Sequence, residues 1–294
     1  MPVTREGGRG AEQMRSICAF DVPARALAPP RLAEGSASSP ATAARALTLP
    51  SPLPPLPVPS VIKTGVISQA AGSAYVEFDK TKVMCGVYGP RQGGKMGGAT
   101  NDRGRVEVDV KLATFATPGA RGKTGQGDAE REFSSLVLRA LEGAIIAETF
   151  PKTSVDVYAT VIEAGGAELS ATVAAASAAL AQAGVAMRDL VSACSVSRVT
   201  EGGAEGGAEG NPEGISTLLL DPTAAEEEAA DGAVTIAHMS TGGEATQIVV
   251  TGAWDVDALD EAMQLAASGC ARVDQALREV LRQGAEEAAT LAGV

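Results

Sequence analysis

The chain contains very few of the residues that build metal sites or disulfide networks. Its 294 residues include only 4 cysteines and 1 histidine, and no C-x-x-C motif occurs. A zinc site needs several such ligands at short spacings, and a disulfide framework needs paired cysteines. We therefore expect no metal and no cofactor. A reducing, intracellular compartment is the simpler interpretation of the cysteine content.

Positive charge and long apolar runs are also scarce. The chain has 24 Lys and Arg against 36 Asp and Glu, which gives a formal net charge of −12. Such a chain lacks the overall positive field that holds nucleic acid unaided, so any contact with RNA is expected through a local patch or beside partner proteins. Gly, Pro or Ser interrupts the apolar stretches well before the roughly 20 residues that a membrane helix needs. No spanning segment and no membrane partner are expected.

Residues 1–60 differ in composition from the rest of the chain. They contain most of the 16 prolines, several arginines and no lysine. A proline-rich run at 49–59 cannot donate a backbone hydrogen-bond ladder and is typical of solvated polyproline II. We predict a disordered Pro/Ala/Arg-rich tail over 1–60, followed by a single domain over 61–290. An organelle transit peptide is a less favoured interpretation, because acidic residues interrupt the segment.

Beyond residue 60 the spacing of apolar residues predicts an α/β domain. Val106, Val108 and Val110 alternate with charged residues, which is typical of a half-buried strand. Helices are predicted from Phe133 onward, over an Ala-rich segment at 169–183, and along an apolar seam that starts at Leu259 and ends at Gly284. The seam favours one amphipathic helix on a sheet over a coiled coil. Further strands are predicted at 75–78, 82–88, 154–162, 190–199, 216–220, 234–239 and 247–251, the first two forming a hairpin.

Two glycine-rich segments approach the spacing of a phosphate-binding loop. Residues 89–95 read G-x-x-x-x-G-K, but Met96 stands where a Ser or Thr would hold the metal, and no helix follows. Residues 122–124 include a threonine hydroxyl at the metal-holding position, but no glycine stands at the first position of the motif. We interpret both as flexible loops, and a nucleotide-binding enzyme is the unfavoured alternative. The acidic run at 226–228 is interpreted as a solvated charged turn, and His238 as a core or interface residue.

The order of several short motifs resembles the RNase PH family. They are GVISQAAGSAYVE at 65–77, TKVMCGVYGPR at 81–91, FPKTSVDV at 150–157, EAGG at 163–166, AGVAMRDL at 183–190 and LLDPT at 219–223. The resemblance covers roughly 61–285. It implies the RNase PH fold, an α/β fold like the second domain of ribosomal protein S5, and assembly into rings of six around a pore for RNA. Active members cleave RNA from the 3′ end with inorganic phosphate as the attacking group.

Several positions differ from what that resemblance implies for an active member. Active members carry basic residues before the long helix, a hydroxyl and an arginine after the double glycine, and two aspartates in an acidic motif. The corresponding residues here are Asp128 and Ala129, then Ala167 and Glu168, then Glu227 and Ala233. The resemblance thus implies an inactive member with no catalytic residue. An active phosphate-dependent 3′–5′ exoribonuclease is the alternative.

This pattern of losses resembles the non-catalytic ring subunits of the eukaryotic RNA exosome, of the mRNA transport regulator 3 type. The resemblance implies partnership with other RNase PH-like ring subunits, with an S1-domain cap protein and with RNA (rRNA, snoRNA and mRNA). It also implies location in the nucleus, nucleolus and cytoplasm. Loop cations are candidates for contacting the RNA backbone, because phosphate contacts need positive charge and reach; the alternative is that they are solvated surface charges. The candidates are Arg103, Arg105, Lys111, Arg121 and Lys123.

Overall fold

The computed structural model describes residues 61–92, 103–117, 127–201 and 215–291. The tail predicted over 1–60 lies outside these ranges and stays a prediction. In chain order the elements are β1 (Val61–Thr64), β2 (Gly72–Phe78), β3 (Thr81–Gln92), β4 (Arg105–Leu112), α1 (Asp128–Glu142), β5 (Thr153–Glu163), α2 (Glu168–Gln182), β6 (Val191–Glu201), β7 (Ile215–Leu220), α3 (Ala224–Glu228), β8 (Gly232–Met239), β9 (Glu244–Gly252) and α4 (Val256–Leu291), with a 3-10 turn at Ala147–Thr149. The α/β prediction is confirmed.

The strands form two sheets. A five-stranded sheet has the order β1-β2-β3-β5-β4, in which β4 runs parallel to β5 and the other neighbours are antiparallel. A four-stranded antiparallel sheet has the order β7-β6-β8-β9. The predicted hairpin is confirmed, since Phe78 pairs with Thr81 across a two-residue turn.

The Ala-rich helix α2 lies between the two sheets and contacts both. Every residue from Ser170 to Leu180 is buried, so this helix is enclosed on all sides, as its small and apolar composition predicts. Gly72 of β2 permits the close approach: a Cβ added there would lie 2.3 Å from the carbonyl oxygen of Ala179. The core of the five-stranded sheet therefore depends on small residues on both sides of the contact.

The other two long helices pack one face each. In α1, Val137 and Leu141 are buried, and the Ser134 hydroxyl accepts the Val110 N–H of β4 at 2.9 Å. In α4, buried residues recur along the face that covers the four-stranded sheet: Ala262, Ala266, Cys270, Val273 and Leu277. The amphipathic-helix prediction is confirmed. None of the helices in the described ranges is long and apolar enough to cross a membrane.

Two predicted boundaries are wrong. The helix α4 does not end at Gly284 but continues to Leu291. A glycine inside a helix costs roughly 1 kcal/mol relative to alanine, but here it faces β1, where a Cβ would lie 3.1 Å from the Thr64 hydroxyl. Residues 89–92, predicted as part of a loop, continue β3 because Arg91 and Gln92 pair with Ser154 and Thr153 of β5. The rest of that motif, and residues 122–124, lie outside the described ranges.

Candidate functional site

The site that the sequence places after the double glycine is a tight backbone segment at the start of α2. We call Gly165, Gly166 and Ala167 the α2 cradle. The Thr81 hydroxyl donates to the Gly166 carbonyl at 2.5 Å and accepts the Gly165 N–H at 3.1 Å. On the other side, the Ala224 N–H of α3 donates to the Gly165 carbonyl at 2.7 Å. The hairpin turn and α3 thus fix the cradle from two directions.

The two glycines are required by this close packing. Gly166 has φ +109°, and a Cβ there would lie 2.3 Å from the carbonyl oxygen of Pro222. At Gly165 a Cβ would lie 2.5 Å from Cβ of Lys80. Since only glycine avoids both the strain and the contacts, the double glycine has a structural reason independent of any chemistry.

Two N–H groups that immediately precede α2 point to carboxylates of the chain itself. The Ala167 N–H donates to Glu227 Oε1 at 3.0 Å, and the Gly166 N–H donates to Glu168 Oε1 at 3.3 Å. The N-terminus of a helix normally offers such donors, together with the positive end of the helix dipole, to a bound anion. Here two of the three N–H donors of the cradle are used by internal negative groups, and the third, from Gly165, donates to the Thr81 hydroxyl.

Burial raises the pKa of the Glu227 carboxyl; the N–H of Ala167 acts in the opposite direction, and the nearby charge of Glu168 adds to the increase. The interpretation of 226–228 as a solvated turn is therefore wrong for Glu227. These residues form the short helix α3, which turns Glu227 toward the cradle. Three consecutive acids in the sequence give no signal of which one is directed inward.

The other three positions that differ from an active member are dispersed in the structure. Asp128 and Ala129 are exposed at the start of α1, where Asp128 pairs with Arg131 at 3.3 Å. Ala233 lies in β8, opposite Ser197 and Thr251. Among the described residues, no hydrogen bond or ion pair joins these positions to the α2 cradle. The structure therefore groups Ala167, Glu168 and Glu227, and leaves the other three apart.

No cation is placed at the cradle by the hydrogen bonds and ion pairs of the described residues. Each described member of the predicted RNA-binding set instead lies beside a carboxylate: Arg103 with Glu148 at 3.5 Å, Arg105 with Glu107 at 3.0 Å, and Lys111 with Asp109 at 3.1 Å. All three cations are exposed, and exposed ion pairs contribute about 0–1 kcal/mol, so competing phosphates could replace these partners. Arg121 and Lys123 lie outside the described ranges.

Sequence reasoning missed one exposed cation near this set. Strand pairing places Arg105 beside Ser154, and Ser154 beside Arg91, so the two arginines lie on one face of the five-stranded sheet. The Arg91 guanidinium also lies 5.1 Å from the centre of the Tyr88 ring. The position of Arg91 in the motif YGPR does not indicate that it lies near Arg105, because the register of β3 with β5 is set by long-range pairing.

The described ranges contain no group of three or more His, Cys, Asp or Glu side chains placed to hold a metal ion. His238 is half-buried in β8, and its Nδ1 atom has no hydrogen-bond partner within the same ranges. The arrangement thus offers backbone donors that are already used by carboxylates, together with a separate exposed surface on which Arg91, Arg105 and Lys111 lie beside carboxylates.

The chain matches the 3′ exoribonuclease family, domain 1, over residues 59–186 and the same family, domain 2, over residues 189–269. It belongs to the RNase PH family. The first match contains the five-stranded sheet with α1 and α2, and the second contains all four strands of the other sheet and the start of α4. The resemblance read from short motifs is confirmed.

Relatives in the RNase PH family agree with this assignment. The chain is 40% identical over 227 residues to the exosome complex component RRP41-like of Arabidopsis thaliana, covering 77% of this chain and 81% of that protein. It is 36% identical over 239 residues to the exosome complex component MTR3 of Homo sapiens, with 77% and 83% covered. The crystal structure of rice (Oryza sativa) Rrp46 shares the fold, with a TM-score of 0.61 at 21% identity over 75% of this chain and 93% of that one.

Proposed function

We propose that this RNase PH family member is a non-catalytic subunit of the RNA exosome ring, of the MTR3 type. Its role is to form part of the wall that guides RNA, while a separate nuclease subunit cleaves it. The observation that carries the proposal is that the Gly166 and Ala167 N–H groups of the α2 cradle donate to Glu168 and Glu227. A phosphate ion would have to displace these carboxylates to bind there.

Electrostatics supports an architectural rather than a catalytic role. Two like unit charges about 4 Å apart repel by roughly 4 kcal/mol at an effective dielectric of about 20. Glu168 stands where the family resemblance implies an arginine, so an attraction for phosphate is replaced by repulsion. An attacking phosphate needs cations and donors arranged around the reacting atoms, whereas the Gly166 and Ala167 N–H donors are already used by carboxylates.

The proposed partners follow from the names of the relatives. Both sequence relatives described above are exosome complex components. We extend that to this chain as partnership with other RNase PH-like ring subunits, an S1-domain cap protein and RNA. The proposed substrates of the whole complex are rRNA, snoRNA and mRNA, and the proposed locations are the nucleus, nucleolus and cytoplasm.

Within this role, the exposed row of Arg91, Arg105 and Lys111 is proposed to contact the RNA backbone. Phosphate contacts require positive charge and reach but no particular base. The net charge of −12 opposes RNA binding by the chain alone, so we expect these contacts only within a ring.

Purification of the full chain from its native source tests the proposal. We expect it to elute with a set of related RNase PH-like chains in a complex several times its own mass of 29.5 kDa. Mass spectrometry would identify the co-eluting subunits. Elution as a free chain, with no related subunit attached under gentle salt conditions, would contradict the proposed ring membership.

A further inference from the structure

All three tyrosines of the chain lie on the outward face of the five-stranded sheet. Tyr75, Tyr88 and Tyr158 each follow a residue that is buried in the core. Side chains alternate between the two faces of a strand, so the tyrosines point away from the core and from helices α1 and α2. Tyr158 of β5 has 45% of its surface exposed. The face therefore presents an aromatic ring to solvent.

Two of these tyrosines form a cluster with an arginine. The rings of Tyr88 and Tyr158 meet edge to face, with their centres 5.8 Å apart. The Arg91 guanidinium lies 5.1 Å from the centre of the Tyr88 ring and 4.0 Å from the Asp156 carboxylate. Both kinds of aromatic contact are favourable, so they restrict how these side chains move. Tyr158 is thus an exposed ring held in place by its neighbour.

Cations lie on both sides of the Tyr158 ring. Arg91 lies toward β3, on one side. On the other side, in β4, Asp109 pairs with Tyr158 and holds the Lys111 ammonium at 3.1 Å. An unpaired base stacks on an aromatic ring whatever its identity, because every base has a π-face. The phosphates on either side of a stacked base need only positive charge within reach, which Arg91 and Lys111 supply.

Charge on these strands does not oppose a nucleic acid. Strands β1 to β5 contain five Lys or Arg and five Asp or Glu, whereas the whole chain carries −12. A neutral face with one exposed ring suits a ligand that is held by stacking and by a few phosphate contacts. Double-stranded RNA offers no unpaired base to such a ring, so the face fits a single strand.

We propose that Tyr158 is a base-stacking platform for single-stranded RNA, with Arg91 and Lys111 contacting the phosphates that flank the stacked base. This inference rests on the proposed function of guiding RNA. It goes further than the contacts with the RNA backbone, because it assigns a contact with a base and the side chain that makes it.

The test measures RNA binding by the reconstituted ring with fluorescence anisotropy. Tyr158→Ala should weaken binding of a short single-stranded RNA about ten-fold, because it removes the stacking surface. The slope of log affinity against log salt should stay unchanged, since no phosphate contact is lost. Tyr158→Phe keeps a ring and should bind like wild type. The matched control is Tyr75→Ala on the same face, where the tyrosine hydroxyl donates to Glu77 at 3.1 Å.

An RNA of the same length with abasic nucleotides separates stacking from other effects. Wild type and Tyr158→Ala should bind the abasic RNA equally, because it has no base to stack. Photocrosslinking of the ring to RNA that contains 4-thiouridine should attach the RNA to the peptide that includes Tyr158.

Each other outcome overturns a specific claim. If the ring forms and Tyr158→Ala binds the intact RNA as tightly as wild type, the stacking inference is overturned while ring membership stands. An equal loss of affinity for intact and abasic RNA would overturn it as well. Failure of Tyr158→Ala to enter the ring would show that a protein neighbour covers this tyrosine, which also overturns it. Failure of wild type to enter any ring would overturn the proposed function, and this inference with it.

Discussion

The carboxylate of Glu227 accepts a hydrogen bond from the backbone N–H of Ala167 at 3.0 Å, across 60 residues of sequence. This contact ties α3 to the N-cap residue of α2 and places a carboxylate beside the helix N-terminus, where an anion would otherwise be favoured. The same contact carries an energetic cost, because Glu227 is partly buried and lies near the charge of Glu168. Its consequences for stability and for chemistry can be measured separately.

Glu227→Gln should stabilise the protein at pH 7 by up to about 1 kcal/mol, because the amide oxygen still accepts the Ala167 N–H without the cost of a partly buried charge. The folded-state pKa of Glu227 lies above its ordinary value of 4.5. Wild type therefore gains stability relative to the variant as the pH falls through the folded pKa toward 4.5. Urea unfolding of both proteins between pH 7 and pH 4.5 measures the difference.

Glu227→Ala is the matched comparison. It removes the acceptor and leaves the Ala167 N–H without its partner, so its free energy of unfolding should lie about 1–2 kcal/mol below that of Glu227→Gln at any pH in that range. Equal stability of the Ala and Gln variants would show that the hydrogen bond contributes nothing.

Arg278→Met should destabilise the chain by about 2 kcal/mol at pH 7, because it removes the guanidinium that hydrogen-bonds both Asp189 and Asp274. Burial would raise the pKa of Asp189, but hydrogen bonds from the Thr241 N–H and from Arg278 outweigh it, and the pKa is lowered. The stability from this lowered pKa is present above 3.8 and lost as the pH falls through the folded pKa. Unfolding curves should therefore show a weaker acid dependence for the variant.

The control for that variant is Arg282→Met on the same helix. Within the described part of the chain, Arg282 forms an exposed ion pair with Glu279 at 3.1 Å and no other. Exposed pairs contribute little, so the free energy of unfolding should change by less than about 0.5 kcal/mol. A destabilisation as large as that of Arg278→Met would mean that the cost arises from helix α4 in general rather than from the hydrogen bonds to Asp189 and Asp274.

Gly72→Ala should destabilise the protein by about 3 kcal/mol, because the new methyl group has no space between β2 and α2. A Cβ at this position would lie 2.3 Å from the Ala179 carbonyl oxygen and 2.4 Å from the Ala183 nitrogen. Thermal unfolding compares it with Gly242→Ala, where the nearest atom would be 3.6 Å away, in Glu244. Similar melting temperatures for the two variants would contradict the packing described for α2.

Arg105→Glu/Lys111→Glu should weaken RNA binding by the reconstituted ring. It should also reduce the slope of log affinity against log salt by about 1 for each RNA phosphate that the two cations neutralise in the wild type. Fluorescence anisotropy with a single-stranded RNA at several salt concentrations gives both quantities. The control Arg282→Glu changes an exposed charge on α4. If the double variant binds with unchanged affinity and slope, these two cations do not contact RNA.

The spacing of apolar and small residues along the sequence predicted most of the helices and strands. The period-two alternation in β4 and the run of small residues in α2 each reflect how that element is buried. This spacing failed where distant pairing decides the conformation. Residues 89–92 extend β3 because β5 pairs with them, and Gly284 lies inside α4 where a Cβ would come within 3.1 Å of the Thr64 hydroxyl.

The sequence predicted only part of the candidate site, because contacts between residues distant in sequence also decide its geometry. The family resemblance identified Ala167, Glu168 and Glu227 as departures from an active member. Three consecutive glutamates could not reveal that Glu227 accepts the Ala167 N–H instead of lying in a solvated turn. Likewise, Arg91 joins the row of Arg105 only through the register of β3 and β5.

The most direct test of the proposed role is phosphorolysis by the full chain, alone and within the reconstituted ring. The protein is incubated with a 3′-tailed RNA and inorganic phosphate, next to an active RNase PH family member, and released nucleoside diphosphates are quantified. We predict release no greater than in a reaction without protein. Nucleoside diphosphates released by the purified chain in proportion to phosphate concentration would contradict the account.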